Sequence, residues 1–148
     1  MAEILLTQAE ADALIAMEKF KTDDTRWNYP GAGQQLSVPL VSSDRREIFA
    51  LDITRSRIKL TKSTHQNRAR HAIVLLRLDL DGPPHRNPDG MEIPCPHLHV
   101  YREGYGYKWA ETAPAYLCQQ GDNAFAACVA FMAYCNIVVA PSFDVRLF

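Results

Sequence analysis

Residues 96–104 read PHLHVYREG, and their alternation of polar and apolar side chains is that of a β-strand. Side chains of a strand point to opposite faces with a period of two. Four titratable residues are therefore predicted to share one face: His97, His99, Tyr101 and Glu103. Leu98 and Val100 take the other face, which we expect to pack on the core. The polar face, rich in groups that exchange protons, is the predicted functional site.

Strand patterns also precede this stretch. Four further strands are predicted over residues 37–42, 47–54, 57–65 and 71–81, with short connections between them. Short connections favour an antiparallel meander, which gives a sheet of about five strands. Pro39 lies within the first of these strands and predicts an edge position for it.

Helices are predicted at both ends of the chain. The pattern T-x-x-E at Thr7 is a capping box, and it predicts a helix from about residue 9 to residue 20. Asp122 is a suitable N-cap for a second helix over residues 123–135, whose apolar composition predicts burial on several sides. We therefore predict a single α+β domain spanning the chain of 148 residues.

Composition narrows the class of protein. The chain is 47% hydrophobic with a formal net charge of -1, so overall charge gives no sign of a nucleic-acid binder. The N-terminus lacks the basic start of a signal peptide, and no run approaches the roughly 18 apolar residues that span a bilayer. The four cysteines form no C-x-x-C pair and are expected to be free thiols. We expect a cytoplasmic protein without a membrane partner.

A basic run stands out against this neutral background. Residues 55–71, RSRIKLTKSTHQNRARH, contain six Lys or Arg and two His but no carboxylate. If their strand joins the sheet of the histidine strand, its cations would lie beside the imidazoles. Seven residues are therefore predicted to bind nucleic acid: Arg57, Lys59, His65, Arg77, Tyr105, Lys108 and Trp109.

This combination is typical of RNA cleavage without a metal or other cofactor. A base removes the 2′-hydroxyl proton, an acid protonates the leaving oxygen, and a cation stabilises the phosphate charge. Histidine suits both proton roles because its ordinary pKa is about 6.5. The predicted catalytic residues are His97, His99, His85, Tyr101 and Glu103, with His97 or His99 as the base. The first prediction for function is thus a metal-independent endoribonuclease that acts on RNA. An N-terminal helix followed by an antiparallel sheet resembles, in architecture, the ribonuclease toxins of toxin-antitoxin pairs, which implies an antitoxin partner.

A metal-dependent enzyme is the second prediction. The spacing of His97, His99 and Glu103 resembles the first motif of cupins, where such residues hold zinc, iron or manganese. Cupins take a further histidine from a later strand, and no histidine follows His99 here. A ligand set of His97, His99, Glu103 and His85 would hold one divalent transition metal, with Cys95 or His65 as other candidates to complete it.

The third prediction is a protein without catalytic activity. A surface that combines charged and aromatic residues also suits a phage inhibitor that binds a host defence complex for handling nucleic acids. In that case the histidines would belong to a protein-binding surface.

Three motifs together carry a family resemblance. They are H-x-N-P-D-G at residues 85–90, H-x-H-x-Y-x-E-G at residues 97–104, and W-A at residues 109–110. The combination resembles a family of small uncharacterised bacterial and phage-associated proteins. The resemblance implies no activity and no catalytic residue.

Overall fold

The protein is described here from a computed structural model, in which residues 6–118 and 123–145 are described. These described residues contain two α-helices and a short 3-10 helix: α1 (Gln8–Ala16), α2 (Ala124–Tyr134) and the 3-10 turn Ala115–Leu117. The strands are β1 (Lys19–Lys21), β2 (Arg26–Asn28), β3 (Gln35–Val41), β4 (Ile48–Arg55), β5 (Ser63–Ala69), β6 (Ile73–Asp79), β7 (His85–Arg86), β8 (Glu92–Ile93), β9 (His97–Val100), β10 (Ala110–Thr112), β11 (Ile137–Val139) and β12 (Ser142–Asp144).

One large sheet organises the fold. Its eight strands lie in the order β10-β9-β6-β5-β4-β3-β1-β11, and only the β1–β11 pair is parallel. The predicted α+β class, with an N-terminal helix, an antiparallel sheet and a C-terminal helix, is confirmed. The predicted number of about five strands is too low. The three additional strands, β1, β10 and β11, have three residues each, too few for alternation to reveal them.

Two strand predictions need correction. Residues 57–62 form the loop between β4 and β5 instead of a strand, because the Ser56 hydroxyl accepts backbone hydrogen bonds from Ile58 and Lys59 at 3.2 Å. The strand with Pro39 is not at the edge, since β1 pairs with β3 at Leu40 and Val41. The β1 ladder ends before Pro39, which explains how the sheet tolerates a residue without an N–H group.

The helices are shorter than predicted. The capping box of Thr7 and Glu10 is present, but α1 ends at Ala16, and Phe20 pairs with Val41 in the sheet. In α2, Phe131 is buried while Val129 is 47% exposed, so that helix covers the core with one face only. Its predicted N-cap, Asp122, lies outside the described residues. Within the described part of the chain, no helix is long and apolar enough to cross a membrane.

The inner face of the sheet carries the core together with one buried histidine. His65 on β5 is fully buried beside Phe131, and its Nε2 lies 3.1 Å from the Tyr29 hydroxyl. That hydroxyl donates to the Ala124 carbonyl at 3.1 Å, so Nε2 of His65 carries the proton. Burial, together with the nearby charge of Arg55, lowers the pKa of His65 to about 4.

The buried histidine predicts a pH-dependent stability. Between pH 4 and the unfolded-state pKa of about 6.5, the unfolded chain binds more protons than the folded chain. His65 therefore removes up to about 3 kcal/mol from the free energy of unfolding as the pH falls through this window. Urea unfolding between pH 4 and pH 7.5 measures the effect, which His65→Gln is expected to abolish. The control His71→Gln, at an exposed position, should retain the wild-type profile. A His65→Gln profile identical to that of wild type would contradict the assignment.

Candidate metal centre

The register of β6 and β9 assembles the site. Arg77 lies opposite His99, and Asp79 lies opposite His97. Directly opposed residues share a face, so these four side chains come together on the outer face of the sheet. The alternate residues Leu78 and Leu98 are buried in the core on the inner face.

Two imidazoles converge on one carboxylate oxygen. Nε2 of His97 lies 3.0 Å from Asp79 Oδ2, and Nε2 of His99 lies 3.1 Å from the same atom. His97 is 2% exposed and His99 is 4% exposed, so little water reaches either ring. The predicted polar face is therefore buried at these two residues.

The opposite nitrogen of each ring is held by the backbone. Nδ1 of His97 lies 3.1 Å from the Ile93 carbonyl oxygen, and Nδ1 of His99 lies 2.8 Å from the Tyr107 carbonyl oxygen. A carbonyl only accepts, so both Nδ1 atoms carry a proton. With a metal bound, each Nε2 would present its lone pair to that metal, which is the arrangement found in metal-bound histidines.

Asp79 is held in its ionised form by its neighbours. Burial alone would raise the pKa of this carboxyl group. The hydrogen bond from His99, the charge and hydrogen bond of Arg77, and the hydrogen bond from Thr64 outweigh burial and hold the pKa well below its usual range. Arg77 Nε and Thr64 Oγ1 each donate to Oδ1 at 3.0 Å, which leaves Oδ2 to the two histidines.

A third histidine lies beside this cluster. The β7–β8 hairpin places the His85 ring 4.6 Å from the His99 ring and 6.0 Å from the His97 ring. Nε2 of His85 lies 2.7 Å from the Lys108 carbonyl oxygen. Buried Asn87 fixes the hairpin to β10, because its amide accepts from Ala110 N at 2.8 Å and donates to Ala110 O at 2.9 Å.

Tyr101 and Glu103 do not join the histidines. β9 ends at Val100, and the Tyr101 side chain is buried in the core. Its hydroxyl accepts from Leu6 N at 2.9 Å and donates to Leu6 O at 2.8 Å. Glu103 Oε1 accepts from Gln8 N at 2.7 Å. The prediction that four residues share one face is wrong beyond His99, because the strand and its alternation end at Val100. Tyr101 and Glu103 instead attach the start of α1 to the segment that follows β9.

The predicted strand of basic residues beside the histidines is mostly a loop, because β5 begins only at Ser63. Arg57 lies exposed in the loop between β4 and β5, and Lys59 pairs with Asp81 at 2.9 Å in the same region. His65 lies on the inner face of the sheet, because it is opposite Leu78 in the register. It therefore cannot bind a substrate or metal held on the outer face. Of the predicted basic residues, Arg77 is the one that contacts Asp79.

The aromatic residues after β9 form a separate cluster. The rings of Tyr105 and Trp109 lie 5.7 Å apart, and the Arg102 guanidinium lies 4.0 Å over the Trp109 ring. Tyr107, which the sequence prediction left out, lies 6.1 Å from His99 between ring centres and is 44% exposed. Lys108 is exposed, and its backbone contacts His85.

Among the described residues, Asp79, His97 and His99 present donor atoms that all lie within 4.8 Å of one another. Metal–ligand bonds of about 2.0–2.2 Å place neighbouring ligands about 3.0–3.4 Å apart in octahedral or tetrahedral sites. The distances of 3.0 and 3.1 Å from Oδ2 to the imidazoles satisfy this requirement. Asp79 therefore takes the carboxylate position that the cupin-like prediction gave to Glu103.

The sequence did contain a signal for Asp79. Arg77 and Asp79 alternate with the buried Leu76 and Leu78 in an otherwise apolar strand, and two opposite charges at that spacing share its polar face. The predicted candidates Cys95 and His85 lie nearby but outside the group of three. Cys95 Sγ is 3.5 Å from Nδ1 of His97, on the side of the ring that faces away from Asp79.

The fold and site define an α+β protein whose sheet carries a buried His-His-Asp cluster on its outer face. Residues 6–137 match DUF6978, a family of unknown function, so the chain belongs to that family. A comparison with curated proteins and a comparison with solved structures each found no match.

The buried phenol predicts a structural role for Tyr101 that can be measured. Tyr101→Phe leaves the backbone N–H and C=O of Leu6 without their partner in a buried setting, which costs about 1–3 kcal/mol. Urea unfolding should show this loss, while Tyr105→Phe, at a 44% exposed ring, should change stability by less than about 0.5 kcal/mol. Equal stability of wild type and Tyr101→Phe would contradict the structural role.

Proposed function

We propose that the protein is a metal-dependent enzyme in which Asp79, His97 and His99 hold one divalent transition metal. The observation that carries the proposal is the convergence of two Nε2 atoms on Oδ2 of Asp79, with both Nδ1 protons already given to backbone carbonyls. Two imidazoles and one carboxylate suit zinc, iron(II) or manganese.

Protonation gives an independent reason to favour a metal. Without one, both nitrogens of His97 and His99 face oxygen acceptors, so satisfying them requires two buried imidazolium ions. Arg77 would then add a third positive charge beside the same carboxylate. Neutral rings would instead turn their lone pairs towards the lone pairs of Oδ2. One divalent cation would accept the lone pairs of both rings and of Oδ2, so every donor atom would have a partner without an imidazolium ion.

The chemistry that follows is activation of water. Three protein ligands leave coordination positions for water and substrate, and a bound transition metal lowers the pKa of its water to about 7. Arg77 and Thr64 hold Oδ1 of the ligating carboxylate, and the Ile93 and Tyr107 carbonyls hold the two ligating rings. Such supporting contacts orient ligands and maintain their basicity. A hydrolytic reaction is the best fit.

Metal content tests the proposal. The protein is treated with EDTA and loaded separately with Zn²⁺, Mn²⁺ or, under anaerobic conditions, Fe²⁺. Excess metal is removed, and the bound metal is measured by inductively coupled plasma mass spectrometry. We expect about one metal per chain for the wild type with at least one of the three metals. Asp79→Asn and His97→Ala should bind at least tenfold more weakly, because each removes a ligand.

Two control variants match these changes. Asp81→Asn removes a carboxylate two residues from Asp79, and His71→Gln removes an exposed histidine, so both should retain the metal. Circular dichroism confirms that each variant is folded. Failure of the wild type to retain any of the three metals would overturn the proposal.

Metal-free RNA cleavage, the first prediction from sequence, is the second candidate. It is favoured by the His85 ring, half-buried and only 4.6 Å from that of His99, which brings an accessible imidazole to the cluster. In this account His85 and His99 exchange protons with RNA while Arg77 stabilises the phosphate. Tyr101 and Glu103, which contact the α1 region, have no part in it.

EDTA separates the two candidates. A mixed RNA substrate is incubated with the protein in excess EDTA, and again after addition of each metal. The metal-dependent proposal expects cleavage only after metal is added. Cleavage in EDTA that is lost in His85→Ala would instead establish the metal-free ribonuclease. The links to phage, an antitoxin or a host defence complex stay predictions from sequence.

A further inference from the structure

The guanidinium group of Arg77 uses its Nε in a hydrogen bond and leaves its two terminal nitrogens available. Its Nε donates to Asp79 Oδ1 at 3.0 Å, but its terminal nitrogens make no hydrogen bond within the described ranges 6–118 and 123–145. One third of the side chain, 33%, is exposed. Because Arg77 lies opposite His99 on the outer face, the free end of its guanidinium group lies next to the metal ligands. Two parallel N–H groups are the preferred partner of a phosphate or carboxylate.

One further cation, Lys62, lies near the same site without an ion pair to any described carboxylate. Lys62 approaches from the loop before β5. Its side chain lies against Gly82, since a Cβ at Gly82 would lie 3.3 Å from Lys62 Cε, and Gly82 follows Asp79 by three residues.

Asp81, which directly precedes Gly82, is neutralised by Lys59 at 2.9 Å. Arg77 and Lys62 therefore keep positive charge beside the site.

An exposed aromatic ring completes the surroundings. Tyr107 is 44% exposed, and its ring is 6.1 Å from that of His99 in an edge-on arrangement. A ring in this position offers a surface on which a nucleobase can stack. A small inorganic anion would need neither this ring nor a second cation.

We propose that the substrate is single-stranded nucleic acid, whose phosphodiester is anchored by Arg77 while a neighbouring base stacks on Tyr107. Lys62 binds an adjoining phosphate. This inference names the substrate class of the metal-dependent enzyme proposed above and rests on that function. RNA and DNA share the phosphodiester, so the experiment includes both.

Equilibrium binding in EDTA tests the inference without cleavage. Fluorescein-labelled octamers of uridine (RNA) and thymidine (DNA) are titrated with the full chain, and anisotropy is recorded at several salt concentrations. We expect binding of at least one octamer, with an affinity that falls as salt rises by a slope of about -0.7 per phosphate contact. Arg77→Gln, Lys62→Glu and Tyr107→Ala should each weaken binding about tenfold.

Arg46→Gln is the matched control. Arg46 is exposed in the loop between β3 and β4, at the opposite end of the sheet from Asp79, and its loss should change affinity less than twofold. Lys62→Glu and Tyr107→Ala leave the Arg77–Asp79 contact intact, so the test does not depend on how Arg77→Gln folds. Binding of RNA alone, DNA alone or both supports the inference and identifies the sugar that is accepted.

Two results would overturn the inference. One is absence of binding for both octamers at about 50 mM salt, and the other is equal weakening by Arg46→Gln and the three site variants. Metal content is measured separately on the same preparations. A chain that holds metal but binds no octamer would refute only the substrate class, and a chain that binds octamers but holds no metal would refute only the metal-dependent function.

Discussion

One carboxylate oxygen determines the arrangement of this site. Oδ2 of Asp79 lies within 3.1 Å of the Nε2 atoms of both His97 and His99, and all three side chains are largely removed from water. This contact requires β6 and β9 to pair in one register, because a slip of one residue would turn the histidines into the apolar core. The buried Leu78 and Leu98 on the other face oppose such a slip, so packing and chemistry specify the same alignment.

The segment that carries the motifs divides into residues that act on the site and residues that hold it in place. His97 and His99 present the donor atoms, while the hairpin with Asn87 supports the third imidazole of His85. The side chains of Tyr101 and Glu103 instead attach the α1 region, through hydrogen bonds to the backbone of Leu6 and Gln8. The motif predicted as one catalytic face therefore contains two residues of the candidate site, His97 and His99, and two residues that stabilise the fold, Tyr101 and Glu103.

The sequence predicted most of what periodicity can reveal. The α+β class, the capping box, the central strands and the opposite faces of His97 and Leu98 follow from local patterns. It could not predict that alternation stops at Val100, since the end of a strand depends on which neighbours remain to pair with it. Asp79 was missed for a related reason, because its position beside the histidines depends on pairing between strands that are distant in the chain, with Asp79 18 positions before His97. The basic run misled the prediction, since Ser56 turns the backbone into a loop where a strand pattern was expected.

The central claim is that Asp79, His97 and His99 together bind one transition metal. The most direct measurement is a crystal structure of the zinc-loaded protein, with anomalous diffraction recorded on both sides of the zinc absorption edge. The account predicts a single strong peak about 2.0–2.2 Å from Nε2 of His97, from Nε2 of His99 and from a carboxylate oxygen of Asp79. A peak at another position, or two imidazoles that remain hydrogen-bonded to Asp79 with no peak between them, would contradict it.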